Sequence, residues 1–209
     1  MPGQGAGDRP GTAQEVAYTL GMSFAEVPLV RPHEPPPPPV VTAVPEARLV
    51  DLVVRRRARL LVLEGLQAGG AMALSTLGHE VWAVQTDAQD VTRLAPEAPD
   101  VHWFAMAPTA VSLESLGESV PFDLALWSGG GIGALARHER GPVLRGLGEA
   151  IGPRGRMVIE LPATPGPQFA EYTEDVLAAG LVPDLTLAGY DLRPPSADST
   201  TTILLLSRR

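Results

Sequence analysis

Cysteine, lysine and asparagine are all missing from these 209 residues. Without cysteine, disulfides and thiolate metal sites are excluded. The four histidines, His33, His79, His102 and His138, show no paired spacing of the helical metal-ligand type, so no metal site is expected. With no lysine, every basic side chain is an arginine, which reads as the imprint of a GC-rich coding sequence. A formal net charge of −8 argues against general nucleic-acid binding, which draws its affinity from many basic contacts to phosphates. No run approaches the roughly 20 apolar residues needed to span a bilayer. Residues 1–8 lack the basic and then apolar layout of a signal peptide. A cytoplasmic location away from membranes is the expectation. The hydrophobic fraction of 44% suits one sizeable core.

What is present divides at about residue 45. Residues 1–45 form a Pro/Gly-rich flexible arm containing the run Pro35 to Pro39, and consecutive prolines favour polyproline II over helix or central strand. Within the arm, Thr12 and Glu15 have capping-box spacing ahead of a short apolar stretch, which predicts one helical turn or two. The arm reads as a loose tail, a lid or a peptide that docks a protein partner. From residue 46 to 209 the pattern is α/β. Residues 46–54 have helical apolar spacing, followed by Arg55, Arg56, Arg57 and Arg59, which are assigned to complementing that helix's C-terminal end.

Strands are predicted at Leu60–Glu64, Glu80–Gln85, Val101–Ala105, Phe122–Trp127, Arg156–Leu161, Leu185–Leu192 and Thr201–Ser207. Between them, 70–77, 88–94, 140–151 and 167–180 can carry crossover helices. The last pair has no such room and is expected to close around Arg193–Asp198 as an antiparallel hairpin. Alternation of this kind requires a seven-stranded, mostly parallel sheet with helices on both faces and a C-terminal antiparallel strand pair.

In open α/β sheets ligands bind beyond the C-terminal ends of the strands. The first turn there is Leu63-Glu64-Gly65-Leu66-Gln67-Ala68-Gly69-Gly70, with a carboxylate at the strand end and three glycines within six positions. With Leu77–Val84, the Phe122-Asp123 opening of the fourth strand and the helix-Gly-Pro-Arg-Gly-strand stretch Arg140–Glu160, this order resembles the class I S-adenosylmethionine-dependent methyltransferases. The resemblance covers roughly residues 46–209. It implies S-adenosylmethionine as cofactor, held by Glu64, Gly65, Gly69, Gly70 and Gln85, with Ser128 and Gly129 beside the reacting methyl group. It implies methyl transfer to a small-molecule or protein substrate.

The contact positions depart from the family pattern. Leu66 and Ala68 stand where its first two glycines fall, Gln85 where an acidic residue meets the ribose, and Met106-Ala107-Pro108 offers no carboxylate for the adenine amino group. Asp87 is the nearest alternative to Gln85. A second reading is therefore a methyltransferase-like binding or assembly module that has lost its cofactor, a pseudoenzyme. Gly129-x-Gly131-x-x-Ala134 is formally a dinucleotide fingerprint, but Glu160 comes too late to serve it and Gly141-Pro142 is expected to break the following helix. No catalytic residue is assigned. His138 is a candidate base or a solvated helix residue, and Trp127 a pocket wall or a core residue.

Overall fold

The computed structural model describes residues 45–54, 57–63, 69–162, 167–196 and 198–209. All but the last residue of the arm, including Thr12, Glu15 and the proline run, lies outside the described residues, as do Arg55 and Arg56.

The described elements are helix α1 (Pro45–Val54), strand β1 (Arg59–Leu63), α2 (Gly69–Thr76), β2 (Glu80–Gln85), α3 (Ala88–Leu94), β3 (Val101–Ala105), β4 (Phe122–Trp127), the short α4 (Gly131–Ala134), α5 (Arg137–Ala150), β5 (Ile151–Leu161), α6 (Pro167–Ala178), β6 (Leu181–Leu187) and β7 (Thr202–Arg208). They build one seven-stranded sheet in the order β3-β2-β1-β4-β5-β7-β6. β1 to β5 pair in parallel, and β7 runs antiparallel to both of its neighbours, β5 and β6. This is the architecture expected from the sequence.

Strand side chains alternate between faces, and the sheet sorts its core accordingly. Leu61 and Leu63 of β1, Ala125 and Trp127 of β4, and Met157 and Ile159 of β5 join Val143, Leu144 and Leu147 of α5 and Tyr172 and Val176 of α6 on one face. Leu60 and Val62, Leu124 and Leu126, and Val158 point the other way, to Leu49 and Val50 of α1 and Leu74 of α2. β1 is buried on both faces, which is why Leu60-Leu61-Val62-Leu63 carries no polar residue.

Some boundaries differ from expectation, each for a local reason. β6 starts at Leu181, directly after Gly180, whose φ of +79° ends α6. It tolerates Pro183 because it is an edge strand and its register shifts there. The chain then turns at Ala188, whose N–H donates to the Arg193 carbonyl, so the turn precedes the predicted one. Pro142 does not break its helix. α5 runs unbroken from Arg137 to Ala150, with Pro142 early in it and the buried Val143, Leu144 and Leu147 holding the turns that follow. β5 begins at Ile151, ahead of the Gly-Pro-Arg-Gly turn, which bulges out between the pairs Phe122↔Ile151 and Leu124↔Arg156. A Cβ on Gly155 would stand 2.9 Å from Ile151 Cβ, so only glycine closes that bulge.

Arg59 does not serve the end of α1. At the N-terminal edge of the sheet its guanidinium ion-pairs with Glu118, donates to the Val120 carbonyl and, at 3.3 Å, to that of Pro121. It lies 4.6 Å from the centroid of the Trp82 ring. Trp82 Nε1 in turn donates to Glu118 Oε1 at 3.1 Å. His79, buried next to this edge, accepts the Ala58 N–H through Nδ1 at 3.2 Å. Among the described residues no helix is long and apolar enough to cross a membrane.

Candidate functional site

Parallel strands β1, β2, β4 and β5 end on the same edge of the sheet, and the sequence-predicted residues fall along it. Glu64 and Gly65, with Leu66 and Ala68, lie outside the described residues. Gly69 and Gly70 open α2, whose first-turn backbone N–H groups have no partner within the helix. Gln85 ends β2 and is half-buried, and its carbonyl accepts the Met106 N–H at 2.9 Å, tying the β2 and β3 ends together. Asp87, the alternative ribose contact, caps α3: its Oδ1 accepts the Gln89 N–H at 2.7 Å.

The β4 turn is built on close contact. Gly129 and Gly130 have φ of +68° and +69°. A Cβ on Gly131 would stand 2.4 Å from Trp127 Nε1, and one on Gly133 2.6 Å from Pro162 Cγ. The glycines are there because the turn packs onto an indole and a proline. Trp127 is 1% exposed and belongs to the core beneath the turn. His138 is exposed on the first turn of α5.

Strand alternation, extended one residue past β4, puts Ser128 in line with Leu124 and Leu126, and within β5 it puts Glu160 in line with Val158, on the face covered by α1. Four segments far apart in sequence meet at this point. Glu160 Oε2 accepts the Gly129 N–H at 2.8 Å and the Tyr190 hydroxyl at 3.0 Å. Tyr190, in the turn after β6, packs against the same core cluster as Ala47 of α1. Glu46, on the first turn of α1, is close enough to Glu160 for their charges to interact. Burial, then that repulsion, raise the Glu46 carboxyl above its ordinary value, against a lowering by a backbone hydrogen bond. Burial, then Glu160 and Glu46, also raise the Tyr190 phenol, outweighing a small opposing influence of Ser128, so Tyr190 stays protonated and donates. Ser128 Oγ faces this phenol, wholly buried and with no hydrogen-bond partner of good geometry. Among the described residues, no arginine or histidine ion-pairs with Glu46 or Glu160.

Glu46, Glu160 and Tyr190 were not predicted as site residues. The one signal was Glu160, a carboxylate directly after the apolar run Met157-Val158-Ile159 of β5. Its position also disposes of the dinucleotide fingerprint. The Gly129 amide that a pyrophosphate would need already donates to a carboxylate, and that carboxylate would repel the phosphate.

No protein-family model matches the chain, and no curated protein matches it in sequence. Solved structures do match. A TehB-like SAM-dependent methyltransferase from Corynebacterium glutamicum superimposes with a TM-score of 0.71 at 26% identity, over 81% of this chain and 92% of that one. The CcbJ methyltransferase from Streptomyces caelestis gives 0.67 at 16% identity, over 79% and 90%. The 1,6-didemethyltoxoflavin-N1-methyltransferase of Burkholderia thailandensis, solved with its substrate and S-adenosylhomocysteine, gives 0.61 at 18%, over 78% and 76%. Together with the strand order and the antiparallel β7, these matches establish that the chain has the fold of the class I S-adenosylmethionine-dependent methyltransferases.

Proposed function

We propose that this protein transfers a methyl group from S-adenosylmethionine to a small-molecule or protein acceptor. The observation that carries the reading is the convergence, on one edge of a 3-2-1-4-5-7-6 sheet, of a glycine-opened helix, a polar strand end at Gln85 and the Ser128-Gly129 turn. These residues suit the cofactor. The α2 N-terminus at Gly69 and Gly70 offers N–H groups to a carboxylate. The Gln85 amide can bond a ribose hydroxyl, though without the charge assistance of an acid. Ser128 Oγ is a buried polar atom still in need of a partner. Glu64 and Gly65 are assigned to the same cradle by the family resemblance.

Bound there, S-adenosylmethionine supplies an electrophilic methyl carbon, whose bond to sulfur breaks as the bond to the acceptor forms. The chain's own part is to bind, orient and exclude water. The glycine turn lets backbone come close to the reacting centre, and Glu160 fixes that turn through the Gly129 N–H.

Calorimetric titration of the full chain with S-adenosylmethionine and S-adenosylhomocysteine tests the reading. Heat of binding and a ligand-dependent rise in melting temperature are expected. No heat and no stabilisation at millimolar ligand would overturn it in favour of the cofactor-free module.

A further inference from the structure

We propose that Glu46, Glu160 and Tyr190 form the acceptor subsite of this protein: they bind an amine acceptor as its ammonium ion, and one of the two carboxylates takes a proton from it, freeing the nitrogen lone pair to displace the sulfur from the methyl carbon. The inference rests on the methyl-transfer reading above. Three observations carry it. The cluster stands on the Ser128-Gly129 turn, bonded to it through Glu160 Oε2, so its occupant lies beside the reacting centre. It contains two carboxylates within reach of each other's charge, neither with a cationic partner among the described residues. Third, Ser128 Oγ is wholly buried, faces the Tyr190 phenol and has no hydrogen-bond partner of good geometry among the described residues.

Paired carboxylates held partly out of water are costly unless a cation joins them. Tyr190 offers no relief, since it donates its one proton to Glu160 and stays neutral. Among the described residues Glu160 Oε1 has none of the bonds that occupy Oε2, and Glu46, on α1, is near enough for its charge to act on Glu160. An ammonium group has three N–H donors and one positive charge, and so satisfies both carboxylates at once. A neutral alcohol or a carboxylate acceptor would leave the pair unbalanced or worsen it.

The probe is sinefungin, which carries an amine in place of the methyl sulfonium centre, compared with S-adenosylhomocysteine, which has no charge there. Both are titrated calorimetrically into the full-length wild type, Glu46→Gln and Glu160→Gln, with S-adenosylmethionine as a third ligand. Wild type should bind sinefungin about tenfold more tightly than S-adenosylhomocysteine, as one charge-assisted hydrogen bond allows. In each variant that preference should shrink to within about threefold, while in Glu46→Gln affinity for S-adenosylhomocysteine stays within about threefold of wild type. Equal affinities in wild type, or a preference that survives both substitutions, would overturn the proposal. A loss of S-adenosylmethionine affinity as large as that of sinefungin would overturn it too, by assigning the carboxylates to the cofactor's sulfonium. If no ligand binds wild type, the methyl-transfer reading fails and takes this inference with it. Binding of S-adenosylhomocysteine without a sinefungin preference removes only the inference.

Discussion

The two edges of the sheet handle charge in opposite ways. At the N-terminal edge, Arg59 is held by Glu118, two backbone carbonyls and the faces of Trp82 and Phe122, and its own N–H donates to Asp123 at 3.0 Å. At the C-terminal edge, Glu46 and Glu160 have a phenol, a backbone N–H and each other. A satisfied polar network rigidifies, whereas an unbalanced one costs stability and waits for a partner. The first edge holds the fold together, and the second keeps two carboxylates without a cation among the described residues.

Five substitutions would break or sharpen that contrast. The largest effect is expected from Arg59→Ala, which leaves Glu118 partly buried without its cation. It should cost about 3 kcal/mol in chemical denaturation. A loss below about 1 kcal/mol would mean that the N-terminal edge is not the anchor described.

Gly131→Ala comes next, because its methyl group has no room beside Trp127 Nε1. Overpacking of this kind should cost about 2 kcal/mol. Gly141→Ala is the comparison, since there a Cβ meets only an Arg145 side-chain nitrogen at 3.7 Å, and it should be neutral or mildly stabilising. Equal costs at the two positions would show that the turn yields more easily than its contacts imply.

Gln85→Glu tests the β2 end. If the ribose is bonded there, the carboxylate should tighten S-adenosylhomocysteine by about 1 kcal/mol in paired titrations at fixed salt. Unchanged or weaker affinity in a protein that binds the ligand would misplace the ribose contact. Asp87 is then the remaining acid, with one oxygen already given to the α3 cap.

The smallest effect is a gain in stability. Glu46 has its folded-state pKa raised by burial above the ordinary 4.5, so the folded state holds that proton more tightly than the unfolded chain. The resulting penalty is absent below about pH 4.5 and develops as pH rises through the folded value. Glu46→Gln should therefore raise the melting temperature by about 1 °C at pH 7.5 and leave it unchanged at pH 4. A lower melting temperature at pH 7.5 would show that the C-terminal edge is balanced after all.

The sequence by itself determined the sheet. Buried strands such as Leu60–Leu63 and Phe122–Trp127 are short apolar runs bounded by turn residues, and their alternation with helices leaves few topologies, so the architecture was legible from local pattern. The first half of the candidate site was legible for the same reason, because Gly69, Gly70 and Gln85 lie in or next to contiguous motifs. Boundaries failed where packing overrode local signals: Pro142 stays within α5, and the chain turns at Ala188, ahead of the proline-rich stretch. What only the tertiary structure decided was the meeting of Glu46, Ser128, Glu160 and Tyr190. These residues come from four separate segments and share no motif. Strand parity, the path of α1 and the turn after β6 bring them together, and whether a charge is paired or left waiting depends on distance in space.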